Sequence, residues 1–508
     1  MMVQSRAHRR LRGLVLMAGL WMAGGLGQAG QEGSPLPIGT LRRLHSEILR
    51  EDRPLSIRVP SGYERNGLSY PVIYLLYGDQ TEGYFAETVF ALERLEGGAE
   101  IPEFIVVGIH NTDRYGNLLP ARSGGRPGGA DAFMDFLEKE LFPFIESNYR
   151  AGSFRLLIGP QAGGPFGLYA LACRPHLFKA MVLENPFSAP DSREVLQAKL
   201  REYAARPPET KTSVFINFFD RTGFQDHSEA NKALNGALDA LEPVRPDGLR
   251  IWKRHLEAPT FVPSLELKQP LRTFFAGFYP PQAMAISGLA DILAYYREMG
   301  PRLGFDVDPP AFLLAVKSDD LSRAGRAAAA REILEYALKL RPYDTNAAFR
   351  LGNLLVDAGE LGQADEIFRT LQARAPDPFF AGRLEAIERM RRGSAAHALS
   401  EALKTGLAAA KAKLADLEKG KDPAIYFDER EFNALGYRLL GRKRIDLAIF
   451  VFELNARRYP DSWNAHDSLG EAYMKAGRTK QAIQSFERSL RLNPGNANAR
   501  KMLETLLR

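Results

Sequence analysis

Residues 156–171, LLIGPQAGGPFGLYAL, pass from an apolar run through a tight small-residue turn into a second apolar run. A strand, a sharp turn and a helix in that order lift one side chain clear of a sheet. The usual pattern is G-x-S-x-G with serine at the tip. The chemistry would be acyl transfer: a hydroxyl attacks an ester carbonyl, a base takes its proton, and N–H groups hold the oxyanion. Here the turn reads Gly159-Pro160-Gln161-Ala162-Gly163, with Gly164 following. The glycines the turn needs are present. The tip is Gln161, which has no proton that an imidazole removes near neutral pH.

Other residues are candidates to replace it. His110 ends a predicted strand and Ser188 follows another. His227 stands beside Asp226 in a loop, and His255 lies in the strand-like run RIWKRHL. The plain reading of each is a satisfied or exposed polar residue. The eight histidines are scattered, with no H-x-x-x-H or C-x-x-C, so neither a metal nor a cofactor is expected. The glycine-rich segment 123–130 lacks the Gly-Lys-Ser/Thr of a phosphate cradle. Cys173, the one cysteine, forms no internal disulfide and reads as a buried small hydrophobe.

The elements that must position these residues fall into two parts. Apolar runs at 55–60, 71–77, 104–109, 154–159, 180–184, 213–219 and 249–256 read as strands. Several are apolar on both faces, as central strands of a covered parallel sheet must be. Helical patterns lie between them. In the one over 129–149, Phe133, Phe136, Leu137, Leu141 and Phe144 recur at spacings of three and four. Alternating strands and helices predict a doubly wound, mostly parallel α/β domain over 30–281. After that the chain is rich in Ala, Leu, Arg and Glu with helical spacing, and it repeats. Leu435-Gly436 recurs as Leu469-Gly470, Ala448 as Ala482, Phe452 as Phe486 and Pro460 as Pro494, each 34 residues on. Gly325 and Gly359, Ala330 and Ala364, Leu334 and Phe368, and Pro342 and Pro376 keep the same interval. That period is the tetratricopeptide (TPR) signature of an all-α solenoid with a peptide-binding groove. The expected division is a helical linker at 282–317, a TPR pair at 318–376, a helical spacer or degenerate repeat at 377–420, and TPR repeats at 421–508.

The first 29 residues read as a secretory signal. A basic run holding Arg6, Arg9, Arg10 and Arg12 precedes an apolar segment, and Gly27 and Ala29 suit a cut after Ala29. Removal takes the formal charge from +6 to +2, which gives no reason to expect nucleic acid or acidic membrane as partner. No later run is long and apolar enough for a membrane span. The expected location is periplasmic or secreted.

From residue 38 to about 280 the chain resembles the esterase-D-like esterases, an α/β-hydrolase family that includes iron-siderophore esterases. The segments LHSEILREDRPLSIRVPSGY, YPVIYLLYGDQ, IPEFIVVGIHNTDRYGNLLP and FLEKELFPFIESNYRAGSFRLLIG carry the resemblance. Asn117 stands where the family has Asp, and Leu119 where it has Thr. The family elbow is G-H-S-x-G-G, so its Ser and the preceding His are both replaced. The family base lies in E-x-H-x-S-V-P; the matching Glu257-Ala258-Pro259-Thr260-Phe261-Val262-Pro263 puts Pro259 at that place. Asp220 matches the family acid, with Asp226 the weaker match. The resemblance implies an oxyanion-like pair of N–H donors from Ala162 and from the Gly78-Asp79 loop. The Gln161 amide oxygen is expected to accept those donors and close the pocket from inside. Loss of a nucleophile alone costs about 10⁶ in turnover in a serine protease, roughly 8 kcal/mol. The expected function is therefore a catalytically silent esterase-like domain, with a small ligand in the residual pocket, joined to TPR repeats that bind a protein or peptide. The alternative is an ester hydrolase with a relocated catalytic group.

Overall fold

Residues Tyr70–Leu76, YPVIYLL, are buried at every position, as a strand covered on both faces must be. They form the centre of an eight-stranded sheet. The computed structural model describes residues 38–507, apart from 80–82, 114–115, 123, 125, 187–189, 206–210, 221–233, 237, 240–247, 258–264, 282–283, 285 and 421–423. The expected signal segment 1–29 lies outside the described residues, as do Ser188, Asp226, His227 and Pro259.

The strands are β1 (Thr40–Ser46), β2 (Glu51–Arg58), β3 (Tyr70–Leu76), β4 (Ile105–Ile109), β5 (Ala121–Arg122), β6 (Arg126–Pro127), β7 (Ala151–Gly159), β8 (Ala180–Glu184), β9 (Thr212–Asp220) and β10 (Leu249–Glu257). The sheet order is β1-β2-β4-β3-β7-β8-β9-β10, and β5 and β6 pair separately. β2 runs antiparallel to β1 and β4; the remaining neighbours in the large sheet are parallel. Connecting helices are α1 (Tyr84–Gly97), α2 (Ala130–Phe136), α3 (Phe142–Asn148), α4 (Gly163–Cys173), α5 (Pro190–Ala205) and α6 (Lys268–Phe274). This is the doubly wound, mostly parallel α/β arrangement expected.

Three details differ from the sequence reading. β1 has no apolar alternation, because its face is open: Leu41 is 66% exposed. The helix expected over 129–149 contains a π turn at Leu137–Leu141. The wider turn rotates the following residues, so Phe142 is buried and Phe144 only half-buried. Cys173, at the end of α4, is half-buried rather than buried.

The chain forms two compact units, Gly30–Asp344 and Thr345–Arg508. The first includes α7 (Leu289–Leu303), α8 (Ala311–Arg323) and α9 (Ala327–Leu340). They are tied to the α/β part by side chains. Phe305 packs on Phe154 with centroids 5.1 Å apart, and Tyr296 Oη donates to the Phe278 carbonyl at 2.7 Å. The division therefore falls inside the stretch read as the first TPR pair.

The second unit is all α: α10 (Thr345–Asp357), α11 (Leu361–Arg374), α12 (Pro378–Gly393), α13 (Ala395–Thr405), α14 (Leu407–Lys419), α15 (Glu429–Gly441), α16 (Ile445–Arg458), α17 (Trp463–Lys475), α18 (Thr479–Leu492) and α19 (Ala497–Leu506). One contact recurs in it. A Cβ on Gly352, Gly436 or Gly470 would lie 2.8, 2.4 or 2.7 Å from the ring of Phe368, Phe452 or Phe486. Glycine on the first helix of each pair thus lets the phenylalanine of the second pack against its backbone. The 377–420 stretch is three helices, and α13 and α14 share a core with Phe432 of α15. No described helix is long and apolar enough to cross a membrane.

Candidate functional site

The elbow forms as its residue types require. β7 ends at Gly159, and Gly163 and Gly164 open α4. The turn is closed by Gly163 N–H donating to the Pro160 carbonyl at 2.8 Å and Gly164 N–H to the Gln161 carbonyl at 3.0 Å. A Cβ on Gly159 would stand 2.4 Å from the Gly163 oxygen, and one on Gly164 2.6 Å from Pro186 Cα. Only glycine permits both approaches. Gln161 takes the left-handed conformation, φ 51°. Tyr77 (φ 60°) and Asn185 (φ 46°) share it just beyond β3 and β8. Three strained non-glycine residues therefore follow three neighbouring strands at their carboxyl ends, where open α/β sheets place ligands.

Among the described residues the Gln161 side-chain oxygen does not take the donors expected. Its Nε2 donates to Tyr84 Oη at 3.1 Å. Tyr84 is the first residue of α1 and is 2% exposed. Gly78 requires a correction as an oxyanion donor, because its N–H is already bonded to the Ile109 carbonyl at 2.9 Å. Glycine is needed there for another reason: a Cβ would fall 2.2 Å from Gly108 Cα. Ala162 follows the tip, 4% exposed, and its carbonyl accepts the Phe166 N–H. Asp79 sits beyond β3, where its charge acts on His110.

His110 directly follows β4, and its Nε2 lies 2.8 Å from Ser56 Oγ on β2. Burial holds its pKa below the ordinary histidine value; Asp79 opposes that and Arg53 reinforces it. Arg53 is 1% exposed and donates from Nη1 to the His110 carbonyl at 2.7 Å. His255 is placed elsewhere, on β10, stacked on Phe218 at 5.0 Å and within 3.2 Å of the Asn235 amide nitrogen. Asp220 ends β9 opposite Glu257 of β10; both backbones are described and the side chains lie outside the described residues. A cavity of about 690 Å³, lined by Arg42, Tyr63, Phe144, Tyr149 and Arg150 among others, lies at the amino end of β7, away from the elbow. Among the described residues no group of His, Cys, Asp and Glu could hold a metal ion.

Sequence reasoning missed Tyr84, Ser56 and Glu184. Tyr84 and Ser56 sit in no motif. Glu184 had a readable signal, an acid closing the apolar strand AMVLE.

Residues 46–238 match the family described as "Putative esterase", and residues 321–381 and 463–496 match tetratricopeptide repeat families. The chain carries an esterase-family domain followed by TPR repeats. The ferri-bacillibactin esterase BesA of Bacillus subtilis is 32% identical over 137 residues, covering 23% of this chain and 47% of the relative. The chain thus spans about half the length of that relative. An IroE-like serine hydrolase from Shewanella oneidensis is 26% identical, covering 59% of this chain and 98% of its own, with a TM-score of 0.49. The siderophore hydrolase EstB from Aspergillus nidulans is 19% identical, with coverages of 49% and 98% and a TM-score of 0.39.

Proposed function

We propose that this chain is an exported, catalytically silent member of the esterase family. Its α/β unit binds a small ligand rather than hydrolysing it, and its TPR unit holds a protein or peptide partner. One observation carries the reading: the elbow tip is Gln161, whose amide is committed to Tyr84. A nucleophile needs a removable proton and a base in reach; the tip supplies no such proton, and Pro259 at the matching base position accepts none. The ligand class is taken from the relative, a ferric siderophore of the ester type. Purified protein should show neither labelling by a fluorophosphonate probe nor turnover of a short-chain p-nitrophenyl ester. It should bind ferri-bacillibactin without consuming it. Specific labelling and turnover, lost on changing one pocket residue, would overturn the reading.

A second reading, a hydrolase with a relocated group, is favoured by the Ser56–His110 contact, where a hydroxyl meets an imidazole held towards its neutral form. The same probe separates the two: label at Ser56, abolished in Ser56→Ala, would establish it.

A further inference from the structure

Glu184, the last residue of β8, is 3% exposed and has no cation within 4 Å among the described residues. Its Oε1 accepts the Asn217 amide at 3.0 Å and the Glu266 N–H at 3.1 Å. Among the described residues its Oε2 has no hydrogen-bond partner. Asn217, 0% exposed and directly opposite on β9, donates also to the Glu266 carbonyl at 3.3 Å, while its Oδ1 has no partner among the described residues. One hydrogen-bonded pair of buried side chains therefore holds two acceptor oxygens without a donor, each of which costs free energy when desolvated. A proton on Glu184 removes the buried charge and converts one of those acceptors into a donor.

We propose that Glu184 is a buried proton-binding switch that couples pH to the anchoring of Leu265 and Glu266, the residues leading into α6. Anchoring here is by carboxyl groups. Glu184 takes the Glu266 N–H, and Glu87 of α1 takes the Leu265 N–H at 2.9 Å. The charges facing Glu184 come from two other elements: the Glu266 carboxylate, which disfavours its ionisation, and Arg254 of β10, 3.6 Å from Glu266, which favours it. Burial, which disfavours the charge, outweighs the Asn217 amide and Glu266 N–H hydrogen bonds, which favour it, and pushes the Glu184 carboxyl up to about 7. A raised acid pKa means that the packed form binds the proton more tightly than an opened, hydrated form. The anchoring is thus strongest below the unshifted value, weakens as pH rises towards about 7, and levels off above it. The switch is independent of whether the elbow is catalytic.

The test is hydrogen exchange by mass spectrometry on the full chain at pH 5 and pH 8, corrected for intrinsic exchange. Peptides covering 265–274 should lose roughly 50- to 100-fold more protection at the higher pH than peptides covering β3, as a carboxyl moving from 4.5 to about 7 requires. Glu184→Gln should abolish that excess. An excess that is absent, or that persists unchanged in Glu184→Gln, overturns the proposal. Infrared difference spectra of the wild-type chain decide the matter without a variant. A buried protonated carboxyl band titrating near neutrality supports it, and titration of every carboxyl below about pH 5.5 refutes it.

Discussion

Gln161 Nε2 donates to Tyr84 Oη at 3.1 Å, tying the tip of the elbow to the first residue of α1. The backbone at the tip keeps the left-handed φ of 51° that presents a side chain above a sheet. The side chain so presented is fastened to the neighbouring helix. Glycines that allow the turn and a residue that cannot react occupy the same short segment.

Restoring serine alone should not restore chemistry. Gln161→Ser is expected to stay unlabelled by fluorophosphonate and inactive on p-nitrophenyl acetate, because Pro259 at the matching base position takes no proton. Robust turnover would place the base at another residue.

The Gln161–Tyr84 bond should appear as a coupling. Tyr84→Phe and Gln161→Ala each remove it, at about 1 kcal/mol for a neutral hydrogen bond. Tyr84 makes further contacts, so a double-mutant cycle in urea is the proper measurement. A coupling of about 1 kcal/mol is expected, and additive single effects would show that the bond contributes nothing.

Arg58 and Glu96 make the buried ion pair to break. Arg58 Nη2 lies 2.8 Å from Glu96 Oε2, the side chains are 9% and 7% exposed, and Glu96 Oε1 also accepts the Phe104 N–H at 2.9 Å. Glu96→Ala leaves a buried guanidinium and a backbone donor uncompensated and should cost about 3–5 kcal/mol. Glu100→Ala, whose partner Arg272 is half exposed, should cost under about 1 kcal/mol. Urea midpoints of the two variants test the contrast.

Two glycines of the helical unit should respond oppositely. Gly470→Val drives a branched side chain into the Phe486 ring, 2.7 Å from the position of its Cβ, and should destabilise by about 1–3 kcal/mol. A Cβ on Gly362, inside α11, meets nothing within 4 Å. Gly362→Ala should stabilise by about 0.4–1 kcal/mol, since the unfolded chain loses freedom. Thermal denaturation that ranks the two variants the other way would contradict the packing.

By itself the sequence determined what is periodic or local. Apolar runs marked β3, β4, β7, β8, β9 and β10, the 34-residue interval marked the repeats, and 159–164 marked the elbow with its missing serine. These are legible because a buried strand must be apolar and a tight turn must be glycine, wherever they sit. β1 escaped notice because an exposed edge strand needs no apolar alternation. The π turn at Leu137–Leu141 escaped because a one-residue widening leaves no residue-type signature. Only the tertiary structure decided which way the Gln161 amide points, that the Gly78 N–H is spent on Ile109, and that Glu184 lies against Asn217 with two acceptors unpartnered among the described residues. Those are contacts between residues 31 to 77 positions apart in the chain. Side-chain hydrogen bonds across such separations depend on sheet order and register, and these are fixed only when the chain has folded.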